Sequence, residues 1–463
     1  MRYIKIKSII LILTFFLIIS NIGGSQIINK KTNHDNTSIK NIENYDLLII
    51  SKETYESNFN EFILHKNNLN IKTLFVSLDD IYNGIYFQTI GRDQPEKIKY
   101  FIKNAYDNWN IDYVLFAGST KVVPVRLCYN DDNYPPFPEP KFVSELYYAD
   151  IYDTLNHFSS WDFDGDGIIG EWSGNYAEDK NIDLKPEIAV GRLAFTDEEE
   201  LNIVLNKIIS YEKKKADDSW FKKIVLVGGD TYKKFEGYEG EIFTQRAFDE
   251  LNDFTAIKLW ASNQQLDKHA FNVIEEMNNG CGFIYFSGHG STDVWVTNSV
   301  DGKKLGEFGK SKIRFLKNNE KLPVCLVGGC HNSQFSLNKP KSKIYTSFFE
   351  NTPITSRMQG CWSWELVCLE NGGCIATFGT TGLCWYSAEY EGGGTDYLHT
   401  QFFKEYTQGH NKLGDIWKNA ITSFVETYPI NWNNPSGSNS SIDAKSVQQW
   451  TLLGDPSLQI GGY

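Results

Sequence analysis

The chain has 463 residues, of which 41% are hydrophobic and 14% aromatic, and its formal net charge is −13. A chain of this length buries a large core and is typical of two or three domains. The acidic balance argues against nucleic acid or an anionic membrane as the main partner, and it suits a protein that holds divalent cations.

Residues 1–25 have the order of a secretory signal peptide. Basic residues precede an apolar run over 9–19, and small and polar residues follow it. The run is short for a membrane-spanning helix, and no later stretch is long and apolar enough to cross a bilayer. We therefore expect a secreted or cell-surface protein, with an uncleaved anchor helix as the alternative. Residues 26–44 are rich in Asn, Lys, Thr and Ser and predict a flexible linker.

Apolar runs alternate with helical patterns from residue 45 onward. The first series predicts strands at 45–50, 71–76, 111–118 and 186–192, and helices at 56–69, 95–109 and 196–215. Thr196 and Glu199 have the spacing of a capping box at the last of these helices. Between the third and fourth strands, residues 128–185 have the composition of a long loop.

A polar break near 216–219 separates this series from a second one. The second series predicts strands at 223–229, 256–260, 282–288, 323–329 and 373–379, and helices near 240–252, 266–278, 396–406 and 411–427. Continuous apolar strands alternating with helices indicate parallel sheets covered on both faces. The predicted fold class is α/β, with two three-layer αβα subdomains at 45–217 and 218–463.

Three strands of the second series end in glycine just before polar residues. Asp230, His289 and Cys330 follow these strand ends. In open α/β sheets, ligands bind beyond the carboxyl ends of the strands. The sequence therefore predicts a site where these three residues meet.

His289 and Cys330 have the residue types of a catalytic pair. A cysteine nucleophile needs a base that takes its proton and a pair of donors that hold the oxyanion. Gly290 leaves room for a substrate, so its N–H and that of Cys330 are the candidate donors. His331 is a competing base, although on an extended chain it points to the opposite side. A packed thiol and a structural histidine are the alternative interpretation.

The eight cysteines include no C-x-x-C pair, so the sequence favours neither a zinc site nor a redox motif. No pattern indicates an organic cofactor.

An acidic loop predicts a structural calcium site. Asp162, Asp164 and Asp166 occupy alternating positions before Gly167, as in the first half of an EF-hand loop. The twelfth position is Ser173, so Glu171, or alternatively Glu178 or Asp179, must complete the ligand set. A solvated acidic turn without a cation is the other interpretation.

The motifs "YFSGHGS" (285–291) and "CLVGGCHN" (325–332) resemble the His and Cys blocks of the gingipain-type cysteine peptidases, enzymes of clan CD with a caspase-like fold. Further similar segments are "YVLFAGSTKVVPVR" (113–126), "SELYYADI" (144–151), "PEIAVGRLAFTDEEEL" (186–201) and "WTLLGDPSLQI" (450–460). The resemblance extends over about residues 45–460. It implies a cysteine endopeptidase acting on proteins or peptides, with a caspase-like second subdomain, Cys330 as nucleophile and His289 as general base. Gly290 and Cys330 would supply the oxyanion hole.

The resemblance also implies a third catalytic residue and a specificity pocket. Asp230 stands where the family has a Glu that orients the histidine. Glu241, with Glu239 as the fallback, would then be the acid of the S1 pocket, and Trp385 would line that pocket. These residues would select Arg or Lys at P1. The alternative is that Glu241 simply favours the dipole at a helix start.

Two other functions are compatible with the sequence. One is a surface binding module that keeps the caspase fold without catalysis, and the other is a thiol amidase with a non-peptide substrate. The intact His289, Cys330 and flanking glycines favour an enzyme over the binding module. The sequence makes no prediction of oligomeric state.

Overall fold

A ten-stranded sheet runs through the computed structural model, which describes residues 44–232, 237–336, 360–386 and 393–463. The predicted signal peptide and nearly all of the predicted linker lie outside the described residues. The strands are β1(Leu47–Ser51), β2(Thr73–Ser77), β3(Tyr113–Ala117), β4(Arg126–Tyr129), β5(Lys141–Ser144), β6(Ala189–Leu193), β7(Lys223–Gly228), β8(Thr255–Trp260), β9(Phe283–Ser287), β10(His289–Gly290), β11(Val294–Asn298), β12(Lys304–Gly309), β13(Val324–Gly328), β14(Ala376–Thr380) and β15(Trp450–Leu453).

Helices precede, follow and connect these strands. The described α-helices are α1(Asn60–Asn68), α2(Leu78–Tyr82), α3(Gln94–Trp109), α4(Leu146–Ala149), α5(Glu198–Glu212), α6(Asp218–Phe221), α7(Glu239–Asp249), α8(Phe271–Asn279), α9(Lys310–Ile313), α10(Trp362–Cys368), α11(Gly394–Thr407), α12(Leu413–Thr427) and α13(Asn439–Gln449). None of these described helices combines the length and apolarity that crossing a membrane requires.

The large sheet has two halves that run in opposite directions. Its strand order is β2-β1-β3-β6-β15-β14-β13-β9-β7-β8. We call the strands β2, β1, β3, β6 and β15 the first half, and the strands β14, β13, β9, β7 and β8 the second half. Pairing is parallel within each half, and the halves meet at the antiparallel β14–β15 pair. The carboxyl ends of the second half, where the site is expected, therefore all lie at one edge.

The strands of the two predicted series form these two halves, with one exception. β15 comes from the end of the chain but pairs in parallel with β6 of the first half, with Leu453 opposite Arg192. The strands of both predicted subdomains thus join in a single sheet. The expected α/β class with a mainly parallel sheet is confirmed, while the division near residue 217 stays a prediction.

Both faces of the sheet are covered. Along β9, Phe283 and Tyr285 belong to one apolar cluster, while Ile284 and Phe286 belong to another. Helix α11 contributes to the first cluster and α8 to the second. Successive side chains of a strand point to opposite faces, so a strand that is apolar throughout fits between two layers of helices.

Two of the helix starts that differ from the prediction have a clear physical reason. The N-cap of α5 is Asp197, whose extended backbone lets its side chain accept a hydrogen bond from the Glu200 N–H at 3.0 Å. Thr196, the predicted cap, lies one residue too early. The helix predicted at 266–278 begins only at Phe271, because Ala270 has a left-handed φ of +56°.

The sequence prediction missed several short elements. The predicted loop 128–185 contains β5 and α4, and the segment after β9 forms the small antiparallel sheet β10-β11-β12. This small sheet is important for the site, because β10 consists of His289 and Gly290.

Candidate active site

The two candidate catalytic residues follow neighbouring strands. β9 and β13 pair in parallel, and the last residues in register are Ser287 and Gly328. His289 and Cys330 each lie two residues beyond that pair. The N–H of Gly288 donates to the Gly328 carbonyl at 2.9 Å, which extends the pairing into the turns. The structure therefore brings both residues to the same edge of the sheet.

Glycines allow the two turns to pack directly on each other. A Cβ added at Gly290 would lie 2.8 Å from the Cys330 carbonyl oxygen and 2.1 Å from Oδ1 of Asn332. A Cβ added at Gly329 would lie 2.2 Å from the same Oδ1 and 3.1 Å from the Gly290 backbone. Side chains at these positions would push the turns apart. Steric crowding therefore explains why glycine flanks each of the two candidate catalytic residues.

Asn332 links the same two turns and was missed by the sequence analysis. Its side chain is buried, and its Nδ2 donates to the carbonyls of Ser291 at 2.8 Å and Val294 at 3.2 Å. The turn after Cys330 is thereby fastened to the hairpin that carries His289 and Gly290. The only signal in the sequence was an Asn two residues after the cysteine.

The Cys330 thiol lies in an environment that favours its neutral form. It is partly exposed, and its Sγ accepts a hydrogen bond from the Cys384 N–H at 3.3 Å. Burial raises the pKa of the thiol to about 11, although this N–H opposes the shift. A base is therefore needed to make the thiolate at neutral pH.

His289 is oriented by a backbone carbonyl. Its Nε2 lies 2.8 Å from the carbonyl oxygen of Thr231, which follows β7. A carbonyl oxygen only accepts, so Nε2 carries the proton and Nδ1 keeps the free lone pair. Burial lowers the pKa of His289, opposed by the Thr231 carbonyl and by the negative charge of Glu239. The imidazole is thus neutral at neutral pH and able to accept a proton.

Asp230 lies one residue before the carbonyl that contacts His289. It is buried, and its backbone forms a bridge with Asn298, with N–H···O distances of 2.9 and 3.3 Å. The His289 ring donates its hydrogen bond to the Thr231 carbonyl rather than to the Asp230 carboxylate. Glu239 reaches the same segment, because its Oε2 accepts from the Thr231 N–H at 3.0 Å.

His331, the competing base, is paired elsewhere. Its Nε2 lies 2.5 Å from Oε1 of Glu139, a residue of the loop between β4 and β5. The other Glu139 oxygen accepts from the Leu383 N–H at 2.6 Å. Burial by itself would raise the pKa of the Glu139 carboxyl, but His331, Lys445 and the Leu383 N–H together outweigh it and the pKa is lowered. This hydrogen bond connects the cysteine turn to the first half of the chain and occupies Nε2 of the His331 ring.

Glu241 lines a cavity of about 610 Å³ between α7 and the end of β8. Its oxygens accept from the N–H and the hydroxyl of Ser262, at 2.8 and 2.5 Å, and burial raises its pKa. His289 and Cys330 do not line this cavity. However, the first turn of α7 packs on the strand before His289, because a Cβ at Gly240 would lie 2.5 Å from the Ser287 carbonyl oxygen.

Trp385 is not among the described residues that line this cavity, whose aromatic lining residues are Tyr238 and Trp260. Trp385 follows Cys384, its Nε1 donates to Asp132 at 3.1 Å, and its ring packs edge-on against Tyr134 at 5.3 Å. The structure does not bring Glu241 and Trp385 into the single slot that the sequence analysis expected.

The three aspartates of the acidic loop converge. One carboxylate oxygen from each of Asp162, Asp164 and Asp166 lies within 4.8 Å of the others. Asp162 also accepts from the N–H groups of Gly165 at 2.9 Å and Gly167 at 3.2 Å, which closes the turn. These glycines have φ of +79° and +87°, so the backbone has the sharp turn expected of a calcium loop.

Glu171 does not join this cluster in the structure. Its side chain accepts from the Ser173 hydroxyl at 3.3 Å, and its N–H donates to Asp179 at 2.8 Å. Asp179, one of the alternatives, is buried beside the loop and also accepts from the Phe163 N–H. Burial raises the pKa of Asp179 to about 7, with Asp162 among the charges that add to the shift. A bound cation would relieve the repulsion between these crowded carboxylates. The Arg92 guanidinium already contacts Asp162.

A family model matches nearly the whole chain. The model of peptidase family C25 matches residues 40–461. Gingipain R2 of Porphyromonas gingivalis is 20% identical over 439 residues, which are 92% of this chain and 47% of the relative. This chain thus spans about half the length of that relative. An uncharacterized protein of Archaeoglobus fulgidus is 21% identical over 434 residues, 88% of this chain and 92% of its own length.

Solved structures show the same fold. The crystal structure of the Arg-specific cysteine proteinase gingipain R superposes with a TM-score of 0.60 at 18% identity, covering 91% of this chain and 79% of that one. The likeness confirms the expected caspase-like α/β architecture. Together with the family match over nearly all described residues, it shows that the chain belongs to peptidase family C25.

Proposed function

We propose that the protein is a cysteine endopeptidase that cleaves peptide bonds through Cys330 and His289. The observation that carries this proposal is the register of β9 and β13, which sets both residues two positions beyond a paired strand end. Membership of a peptidase family supports the same reaction class.

The reaction uses the tautomer that Thr231 imposes on His289. Nδ1 takes the proton of the Cys330 thiol, and the sulfur attacks the carbonyl carbon of the substrate. The C–N bond breaks when the imidazolium returns the proton to the leaving amine. The resulting thioester is hydrolysed by water, whose proton passes to His289 and then to Cys330.

The N–H groups of Gly290 and Cys330 are the proposed oxyanion donors. They belong to the two turns that pack directly on each other, so the donors are held by the same contacts that align the pair. Donors held before the reaction need no reorganisation when the charge develops. Asn332 stabilises this arrangement by fastening the turns.

The test is labelling with a peptidyl chloromethyl ketone, followed by identification of the modified peptide. Wild type is expected to be modified at Cys330, and Cys330→Ala to remain unlabelled. Cys368→Ala is the matched control, because Cys368 is the other described cysteine with partial exposure. If no P1 residue gives labelling of wild type, the inactive binding module becomes the better interpretation. Labelling without cleavage of any peptide library would favour the thiol amidase.

For specificity, we propose a basic P1 residue bound by Glu241. The support is a carboxylate at the edge of a cavity next to the strand end before His289, and a structural relative described as Arg-specific. Ser262 uses two of the roughly four lone-pair positions of the carboxylate, which leaves positions for a guanidinium or ammonium group.

A fluorogenic library scanned at P1 tests this specificity. Wild type is expected to prefer Arg or Lys, and Glu241→Gln to lose that preference. Glu250→Gln, at the other end of α7, controls for the change in net charge. A wild-type preference for apolar or acidic P1 residues would contradict the proposal, while cleavage through Cys330 would still stand.

We also propose a structural calcium held by Asp162, Asp164 and Asp166, with Asp179 as the fourth acid beside the loop. The cation would neutralise these carboxylates and stabilise the loop between β5 and β6. Export is proposed from the pattern of residues 1–25, and it is tested by comparing culture fractions with and without that segment.

A further inference from the structure

Glu239 is a buried carboxylate for which the proposed mechanism has no role. Its side chain is 1% exposed at the first position of α7. One oxygen, Oε2, accepts from the N–H of Thr231 at 3.0 Å and from the N–H of Tyr232 at 3.4 Å. The other oxygen, Oε1, has no hydrogen-bond partner among the described residues. Burying a carboxylate with one oxygen unbonded costs free energy, which makes this residue a candidate for a functional role.

The contacts of Glu239 lead to His289 through one peptide group. The carbonyl of Thr231 and the N–H of Tyr232 are the two ends of the same peptide bond. His289 Nε2 lies 2.8 Å from the carbonyl end, and Glu239 accepts from the N–H end. Hydrogen bonds in series polarise one another, so the carboxylate increases the negative charge that the imidazole ring meets.

We propose that Glu239 is the positioning residue of His289, acting through the peptide that joins Thr231 to Tyr232. The proposal rests on His289 being the base of the proposed peptidase reaction. The hydrogen bonds of Glu239 go to the backbone of Thr231 and Tyr232 and not to the His289 ring, so it is a positioning residue rather than a catalytic one. It holds the Thr231 carbonyl in place and stabilises the imidazolium that forms when Cys330 loses its proton.

The charges around His289 agree with this role. Burial disfavours the imidazolium, and the groups that oppose burial are the Thr231 carbonyl and Glu239. The ring of Tyr232, 6.4 Å away and edge-on, adds no charge at neutral pH. Asp230, Cys384 and Tyr386 also lie at this end of the sheet among the described residues, and Cys330, the fourth titratable group, is the proton donor in the reaction. A fixed negative charge therefore favours the proton transfer that makes the thiolate.

The test compares Glu239→Gln with wild type. Glutamine keeps the shape and an acceptor oxygen for both N–H groups, but it removes the charge. Losing about one pKa unit of imidazolium stabilisation corresponds to about a tenfold effect. We expect kcat to fall about tenfold with KM unchanged, and alkylation of Cys330 by iodoacetamide at neutral pH to slow by about the same factor. Mass spectrometry of the Cys330 peptide separates this thiol from the others.

Glu250→Gln is the control for charge and for helix α7, and it is expected to match wild type. Equal alkylation rates in wild type and folded Glu239→Gln would overturn the proposal. If Asp230→Asn slows alkylation and Glu239→Gln does not, the orienting acid is Asp230. If Glu239→Gln does not fold, Glu239→Asp withdraws the carboxylate from the peptide, and an unchanged alkylation rate in that variant overturns the proposal.

If the proposed peptidase mechanism itself is wrong, the outcome differs from the outcomes that overturn only the role of Glu239. In that case wild type cleaves no peptide, and His289→Ala alkylates as fast as wild type.

Discussion

Two buried sites, one beside each half of the sheet, favour opposite charge states in their ionisable groups. In the first half, Lys66 forms ion pairs with Glu212 at 2.7 Å and with Asp455 at 2.6 Å, and all three side chains are fully buried. At the carboxyl edge of the second half, His289 and Cys330 have pKa values shifted toward their neutral forms. The paired charges around Lys66 have a structural role. His289 and Cys330, which are neutral and form no ion pair, are able to exchange a proton.

The direction of the pKa shifts separates the two cases. Burial by itself would lower the pKa of Lys66, but Asp455 and Glu212 outweigh it and the pKa is raised. For Cys330 burial dominates, since the Cys384 N–H offsets it only in part. Substitutions at the two sites should therefore separate loss of activity from loss of stability.

The largest expected effect is on activity alone. Cys330→Ala should abolish peptide cleavage, and His289→Ala should lower kcat at least about a thousandfold, because nucleophile and base act as a unit. Neither residue takes part in a described ion pair, so the urea midpoint of both variants should stay close to that of wild type. Wild-type cleavage by Cys330→Ala would show that the nucleophile lies elsewhere.

Lys66→Met should have the opposite effect. It leaves Glu212 and Asp455 buried without their cation, which should lower the free energy of unfolding by about 3–5 kcal/mol. Urea unfolding measures this change, and kcat per folded molecule should remain that of wild type. The control is Lys214→Met, whose pair with Glu320 is exposed at 73% on both sides and should be worth at most about 1 kcal/mol. Equal effects of the two variants would contradict the comparison.

Removal of calcium should have an intermediate effect on stability. A hundredfold excess of ion over its Kd stabilises the native state by about 2.7 kcal/mol, so EDTA should lower Tm. Asp164→Ala should remove most of this dependence, while Asp301→Ala, in an exposed turn, should keep it. A melting curve that does not respond to EDTA or to added calcium would count against the site.

The smallest expected effect is on the pH profile. Because the pKa of His289 is lowered from its ordinary value of 6.5, the ring stays neutral and able to accept a proton as the pH falls through 6.5. The acid limb of kcat/KM should therefore lie below pH 6.5, and in Glu239→Gln it should move further down. An acid limb above pH 6.5 would show that the protein favours the imidazolium form of His289, as it favours the charged form of Lys66.

Much of the site could be predicted from local patterns. Each proposed catalytic residue follows an apolar strand and adjoins glycine, and strands that are apolar throughout fit only inside a layered sheet. The offset of 41 residues between Ser287 and Gly328 in the strand register is also the offset between His289 and Cys330. The aspartates were predictable for a similar reason, since their alternation and the following Gly167 are local properties of one loop.

Partners distant in the chain could not be predicted. Thr231 lies 58 residues from His289, and Cys384 lies 54 residues from Cys330. Backbone N–H and C=O groups occur at almost every residue, so no sequence pattern shows which of them will meet a given side chain. The same holds for Trp260 lining the cavity of Glu241 in place of Trp385.

Hydrophobic periodicity and glycine act over short stretches, so the fold class, the ends of the central strands and the residues at those ends follow from the sequence. Three features depend on the packed structure: β15 enters the sheet between β6 and β14, Asn332 fastens the turns of His289 and Cys330, and a peptide connects Glu239 to His289. These features depend on which backbone groups come within hydrogen-bond distance after packing, and that distance is a property of the assembled layers rather than of any segment.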